Sequence, residues 1–129
     1  MPTIFNRIIA GEIPCHKIAE DAEHLAFLDI RPLKAGHTLV IPKKETDYIF
    51  DMEDAALGRL MQFAKKVAGA IKRAVPCKKI GIMVAGLEVP HTHIHLIPID
   101  QVSELNFAHA KAASESELLA TASKIRKEF

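Results

Sequence analysis

The stretch His91-Thr92-His93-Ile94-His95-Leu96-Ile97-Pro98 carries three histidines at every second position. Side chains alternate across the two faces of a β-strand. The spacing therefore predicts a strand with the histidines on one face, at steps of roughly 7 Å, and with Thr92, Ile94 and Leu96 turned towards a core. Each imidazole needs hydrogen-bond partners and titrates near neutral pH. Three of them in a row on an apolar strand indicate a functional site.

Two kinds of site use such a row. Two histidines in a His-x-His pattern are a good zinc-binding pair, and a third can complete a catalytic centre, which usually has a carboxylate behind it. A neutral imidazole is also a nucleophile near pH 7, and a phosphohistidine intermediate divides one difficult displacement into two easier ones. Neighbouring rings then donate hydrogen bonds to the phosphoryl oxygens and the leaving group. His37, at the start of another predicted strand, adds a fourth imidazole.

The rest of the chain predicts an α+β domain. Strands are expected at 16–20, 25–28, 37–42 and 79–84, besides the histidine strand. A short helix is expected at 5–10, and a long one runs from Asp51 as N-cap to Val75. Ser114 and Glu117 form a capping box that opens a last helix to about Lys127. The order favours an antiparallel sheet of about five strands with helices on one side. The long helix is predicted from one apolar face at three- and four-residue steps: Leu57, Leu60, Met61, Ala64, Val67, Ala68 and Ile71.

Composition limits the class of protein. The 129 residues fit one domain, 1–129, and 17 basic against 16 acidic residues give a net charge of +1, which argues against nucleic acid as a partner. No apolar run is long enough for a membrane span, and the start of the chain lacks a signal-peptide pattern. The two cysteines, Cys15 and Cys77, form no metal-type pair. We therefore expect a cytoplasmic protein with no nucleic acid and no membrane as partners.

Three blocks of the sequence resemble the histidine triad (HIT) superfamily of nucleotide hydrolases and transferases, and its Hint-like branch in particular. Residues 91–97 fit the signature His-φ-His-φ-His-φ-φ. Residues 3–14 are similar to the family's N-terminal helix and turn, and residues 26–32 with 36–44 are similar to its central block. The resemblance implies the HIT-like fold, an antiparallel sheet of about five strands with a long central helix and a C-terminal helix.

The resemblance also implies roles for individual residues. His93 matches the nucleophile that takes the nucleotidyl group, and His95 matches the residue that contacts the α-phosphate and assists the leaving group. His91 supports the nucleophile, and His37 is a further histidine beside the phosphate. Asp29 matches the carboxylate that binds the ribose hydroxyls, since a carboxylate can accept from both.

Apolar walls around the purine are implied by the same resemblance. Without the family, these side chains would be assigned to the core, and Asp29 would equally well be a loop cap before Pro32. The implied wall consists of Ile4, Phe5, Ile8, Phe27, Ile30 and Leu39.

The chain departs from the family at two places. Many bacterial relatives hold a structural zinc with two cysteines, a histidine and the first triad histidine, but here the first three positions are Thr3, Asn6 and Glu45. A closed tetrahedral site cannot be built from His91 with these partners, so we predict no metal and no other cofactor. Relatives also often carry Gly-Gln-Ser or Gly-Gln-Thr before the triad, where this chain has Gly86-Leu87-Glu88.

Glu88 therefore has two open interpretations: it favours a cationic or amine leaving group, or it faces solvent. The expected activity is hydrolysis of a purine nucleoside 5′-phosphoramidate, such as adenosine 5′-monophosphoramidate, or transfer of its nucleotidyl group, through a covalent nucleotidyl-histidine. Alternatives are a dinucleoside polyphosphate hydrolase, a metal-dependent hydrolase and a non-catalytic nucleotide-binding module. The resemblance further implies a homodimer joined through the long helix and a sheet edge.

Overall fold

The computed structural model describes residues 3–129. Five strands form one sheet in the order β1-β2-β3-β5-β4, and every neighbouring pair is antiparallel. This is the predicted α+β architecture. The strands are β1 (Lys17–Glu20), β2 (His24–Leu28), β3 (Thr38–Pro42), β4 (Lys79–Met83) and β5 (Ile94–Ile99), and the helices are α1 (Ile4–Ile9), α2 (Asp54–Ala74) and α3 (Glu115–Arg126).

Both faces of the sheet are covered, so β2 and β3 are buried along their whole length. Ala26, Leu28 and Val40 face α2 and α3 and form the larger core. Leu25 and Phe27, on the opposite face, form a second apolar cluster around Phe5 of α1. The expectation that all helices lie on one side is therefore wrong for α1, because its apolar residues cover the other face.

Helix α2 begins later than the sequence suggests. The predicted N-cap, Asp51, instead ends a 3₁₀ turn at Ile49–Asp51, and Glu53 occupies the N-cap position. Met52 and Glu53 have extended backbones, so the turn cannot continue into the helix. Four residues of the predicted stripe, Leu60, Ala64, Val67 and Ile71, are buried, whereas Met61 is 42% exposed. Ala70, which lies outside the predicted stripe, is buried with them.

The histidine strand is also shorter than predicted, since β5 starts at Ile94 rather than at His91. The backbone N–H of His91 donates to the carbonyl of Val89 (2.8 Å), and that of Thr92 donates to the carbonyl of Thr46 (2.7 Å). These donors are therefore not available to a strand ladder. The alternation nevertheless holds, because Ile94 lies in the α2-side core while His93 contacts Phe5 on the other face.

The segment 101–113 is irregular as predicted, but it contains 3₁₀ turns at Val102–Glu104 and Phe107–His109. Its end lies along the loop after β2, where the N–H of Ala113 donates to the carbonyl of Ile30 (3.1 Å). The predicted cap of α3 is confirmed on one side, since the Ser114 hydroxyl accepts from the Glu117 N–H (3.2 Å). Among residues 3–129, no helix has the length and apolarity that a membrane crossing requires.

Candidate active site

A cavity of about 410 Å³ opens beside the histidines. It brings together four residues that the sequence assigns to the site, Asp29, Glu88, His93 and His95. Four segments build it: the loop after β2, the turn before the histidines, the histidine segment itself, and the 3₁₀ turn at Phe107–His109 with the residue that follows it. Gly86 and Leu87, from the segment that departs from the family, also line it. The sequence did not indicate the rest of the lining: Arg31, Ala85, Phe107 and Ala110.

Hydrogen bonding defines which nitrogen of His93 is free. Its Nδ1 lies 2.8 Å from the backbone carbonyl oxygen of His91. A carbonyl only accepts, so Nδ1 carries a proton, and in the neutral ring Nε2 keeps its lone pair. The edge-on ring of Phe5, with centroids 5.0 Å apart, packs against the imidazole. This is the tautomer that a nitrogen nucleophile requires.

His37 and His95 form a hydrogen-bonded pair with a defined direction. The backbone N–H of Leu33 donates to His37 Nδ1 (3.0 Å), so the neutral ring carries its proton on Nε2. That nitrogen lies 2.9 Å from His95 Nδ1 and donates to it. His95 therefore holds its own proton on Nε2, where it is available to a ligand in the cavity.

Burial keeps these rings uncharged. It lowers the pKa of His37, against the opposing charge of Asp29. Burial, followed by the neighbouring His37 and His93, lowers the pKa of His95 to about 3. Burial also lowers the pKa of His91. Removing a cation from water disfavours the protonated imidazole, so these three rings are neutral at physiological pH.

His91 does not border the cavity. Its Nε2–H donates to the carbonyl of Pro42 (2.7 Å), and its Nδ1 is buried with no hydrogen-bond partner among residues 3–129. The residue contacts the site through its backbone carbonyl, which orients His93. This contact fits the supporting role that the resemblance implies.

Asp29 caps its own loop and also borders the cavity. One carboxylate oxygen accepts from the Arg31 N–H (2.8 Å) as a loop cap. The other lies 3.6 Å from His37 Nε2, and the side chain also borders the cavity. Glu88 is exposed and borders the same cavity, so both interpretations of this residue stay open.

The six apolar residues proposed for the purine wall do not line this cavity. Phe5, Phe27 and Leu39 are buried together, and Ile8 packs against them. Ile4 and Ile30 are 49% and 63% exposed. Phe5 of this cluster packs against the His93 ring. Contact of the six residues with a base stays a prediction.

Neither of two candidate residue sets fits a metal ion. The family's zinc positions do not fit, because the side chains of Thr3 and Asn6 bond each other's backbone N–H as a capping box and His91 Nε2 is bonded to Pro42. In the described part of the chain, Asp29, His37 and His95 have ligand atoms within 4.8 Å of one another. The Nε2–H of His37 donates to His95 Nδ1 at 2.9 Å. A metal ion between these residues would need lone pairs on both nitrogens.

Phe107 and Arg31 are the notable residues that the sequence did not indicate. Phe107 is an aromatic residue in a polar, irregular segment, which was the one available signal. Its ring packs on His95, with centroids 4.8 Å apart. Arg31 follows Asp29 closely, and its guanidinium donates to the Ala110 carbonyl (3.3 Å).

Comparison with known proteins gives consistent matches. The model of the HIT domain family matches residues 10–102. An uncharacterized HIT-like protein of Borreliella burgdorferi is 44% identical over 102 residues, 74% of this chain and 73% of that protein. The Schizosaccharomyces pombe protein named adenosine 5′-monophosphoramidase is 37% identical over 103 residues, 76% of this chain and 74% of that protein.

The fold agrees with a solved structure as well. The crystal structure of a HIT-like protein from Bartonella henselae has a TM-score of 0.87 and 33% identity, and the match covers 98% of this chain and 96% of that one. The matched family region spans β2, β3 and the histidines that border the cavity. This chain therefore belongs to the HIT family.

Proposed function

We propose that this protein hydrolyses purine nucleoside 5′-phosphoramidates, or transfers their nucleotidyl group, through a covalent intermediate on His93. The observation that carries the proposal is the tautomer of His93, whose Nδ1–H donates to the His91 carbonyl and whose ring borders the cavity. A neutral nitrogen with its far side held by an acceptor is an activated nucleophile. The name of the fission yeast relative supports the same substrate class.

The reaction has two displacements at phosphorus. In the first, the lone pair on His93 Nε2 forms a bond to phosphorus, the phosphorus–nitrogen bond breaks, and the departing amine takes up one proton from solvent. In the second, water attacks phosphorus, the bond between phosphorus and His93 Nε2 breaks, and the attacking water releases one proton to solvent as AMP leaves. The nucleotidyl imidazole carries a positive charge, which the His91 carbonyl oxygen stabilises through the Nδ1–H.

His95 and His37 stabilise the charge that develops at phosphorus. The Nε2–H of His95 donates a hydrogen bond to a phosphoryl oxygen or to the departing atom. His37 holds that proton in place, because its own Nε2–H occupies His95 Nδ1. The donor is fixed before substrate binds and needs no reorganisation during the reaction.

The nucleotide is bound by the Asp29 side of the cavity. The ribose hydroxyls donate to the Asp29 carboxylate, which accepts a backbone N–H through one oxygen and has accepting capacity left. The base lies against the apolar wall, with Ile4 and Ile30 as its exposed members. A small nucleotide such as AMP is the ligand, in accord with a net charge of only +1.

Arg31 favours a second candidate, hydrolysis of dinucleoside polyphosphates. Arg31 borders the cavity, and its guanidinium would donate hydrogen bonds to a second or third phosphate group bound there. Turnover of diadenosine polyphosphates and of adenosine 5′-phosphoramidate by the same preparation separates the two. Faster turnover of the polyphosphate would replace the first candidate with the second.

The test of the mechanism is chemical quenching. Mixed with adenosine 5′-phosphoramidate and quenched early, the protein is expected to carry one labelled nucleotidyl group on His93. His93→Ala loses both the label and the turnover, whereas His16→Ala, at a histidine outside the cavity lining, retains both. Hydrolysis by His93→Ala at the wild-type rate contradicts the proposal, and AMP binding without turnover of any nucleotide ester or amide favours a binding module.

We also propose that the protein is a cytoplasmic homodimer. Strand β4 is an edge of the sheet, and Ile82 on it and Met61 on α2 are exposed. Pairing of β4 with a second copy covers both the open edge and the apolar side chains.

A further inference from the structure

Phe107 covers the part of the cavity that faces the hydrogen-bonded pair His37–His95. Its ring centroid lies 4.8 Å from that of His95 and 6.4 Å from that of His37. The side chain is 43% exposed, while His95 beneath it is only 8% exposed. One side of the phenyl ring therefore faces solvent and the other side shields the pair.

The turn that carries Phe107 is anchored on both sides. The Asn106 side chain accepts from the Ala108 N–H (3.0 Å) and fixes the 3₁₀ turn. The N–H of Lys111 then donates to the Pro32 carbonyl (3.4 Å), and the Arg31 guanidinium donates to the Ala110 carbonyl (3.3 Å). These bonds join the turn to the same loop that presents Asp29, so the ring and the imidazoles keep a fixed geometry.

We propose that Phe107 is a positioning residue of this site: its ring excludes water from the His37–His95 pair and thereby holds His95 as a neutral donor. Water at His95 Nδ1 would compete with the His37 Nε2–H for that acceptor. Loss of this bond would free the His95 ring to change its tautomer or take up a proton. The ring is uncharged, so its effect acts through hydration rather than through charge.

Replacement of Phe107 removes none of the charged and titratable groups around His95. His37 faces it from the start of β3, and Asp29 lies behind His37. His93 contacts it from the preceding turn, with ring centroids 5.0 Å apart. Arg31 and Glu88 border the same cavity. A change at Phe107 leaves all five groups in place, so a shifted titration of His95 reports its hydration.

The direct test follows the His95 ring by NMR during a pH titration of the full chain. In the wild type the ring is expected to stay neutral to about pH 5, since burial and its neighbours hold its pKa at about 3. In Phe107→Ala the pKa is expected to rise by about one unit or more, because water now reaches the ring. Phe107→Tyr keeps the ring and restores the wild-type titration. Phe129→Ala, at an exposed phenylalanine away from the cavity, leaves it unchanged.

The kinetic part of the test rests on the proposed function. With adenosine 5′-phosphoramidate, Phe107→Ala is expected to move the acid limb of kcat/KM to higher pH while Phe107→Tyr does not. An identical His95 titration in the wild type and in Phe107→Ala overturns the inference. If Phe107→Ala does not fold, Phe107→Leu serves the same comparison. A wild type without turnover would contradict the proposed function alone, because the NMR titration needs no activity.

Discussion

Backbone groups set the tautomers of the histidines in this site. The carbonyls of His91 and Pro42 accept from His93 and His91, and the amide of Leu33 donates to His37. Each bond assigns one proton, and together they leave a lone pair on His93 Nε2 and a proton on His95 Nε2. The different roles of His93 as nucleophile and His95 as donor therefore depend on the local backbone conformation.

At Asp29, the proposal predicts a loss of affinity that depends on the sugar. Asp29→Asn keeps an oxygen for the Arg31 N–H but loses the charged acceptor for the ribose. Hydrogen bonds to charged groups contribute about 1.5–3 kcal/mol, so affinity for AMP is expected to fall roughly tenfold or more. Calorimetric titration measures this.

The matched control ligand for that variant is 2′,3′-dideoxy-AMP, which has no hydroxyl to donate. It is expected to bind the wild type and Asp29→Asn equally well. An equal loss for both ligands would show that Asp29 acts through its loop rather than through the ribose.

The depressed pKa values of His37, His91 and His95 predict a stability that falls in mild acid. Their unfolded pKa is the ordinary 6.5, and the folded value for His95 is about 3. The unfolded chain therefore binds more protons below pH 6.5, and the free energy of unfolding declines as pH falls towards 3. Each pKa unit corresponds to about 1.4 kcal/mol.

Urea unfolding at a series of pH values between about 6.5 and 5 measures this decline. In that window the paired carboxyls Glu20 and Glu104, with pKa values of about 2, stay ionised. His95→Gln is expected to reduce the slope. A free energy of unfolding that is flat over the window would contradict neutral burial of the rings.

At the scale of elements, the entry to β3 depends on Gly36. Its φ of +97° lies in the left-handed region, and a Cβ there would meet Val75 Cγ2 at 3.1 Å and Pro98 Cγ at 3.2 Å. Gly36→Ala is expected to lower the free energy of unfolding by about 1–3 kcal/mol. It should also reduce turnover, because His37 follows directly.

Gly58 provides the matched control, since it lies inside α2 and a Cβ added there would meet no atom within 4 Å. Gly58→Ala is expected to stabilise the protein by about 0.5–1 kcal/mol through helix propensity. Urea unfolding and turnover of both variants make the comparison. Equal stability of the two variants would contradict a special role for the left-handed glycine.

At the scale of the whole molecule, the proposed dimer predicts a mass of two chains in sedimentation equilibrium. Ile82 on the edge strand β4 is 48% exposed. Ile82→Lys adds a charge at that edge and is expected to give monomers that remain folded. Leu119→Lys, at an exposed leucine of α3, should leave the dimer intact. A monomeric wild type, or equal dissociation by both variants, would contradict pairing at β4.

The fold was predictable from the sequence where local periodicity reports burial. The apolar stripe of α2 and the alternation around Ile94 depend on which side chains leave water, and residues within one turn or one strand carry that information. The start of α2 was misplaced because Met52 and Glu53 adopt extended conformations that their residue types do not require. The position of α1 on the opposite face depends on contacts with β2 that no short window contains.

For the site, the sequence and its family resemblance brought Asp29, Glu88, His93 and His95 together, and these four border one cavity. The alternating histidines carry that signal, because few other arrangements place several imidazoles on one side of a strand. Phe107 and the tautomers could not be read in the same way. They depend on hydrogen bonds to backbone groups of Pro32, Leu33 and Pro42, which are distant in sequence from Phe107 or the triad or lie in a loop. Every residue offers nearly the same backbone groups whatever its side chain.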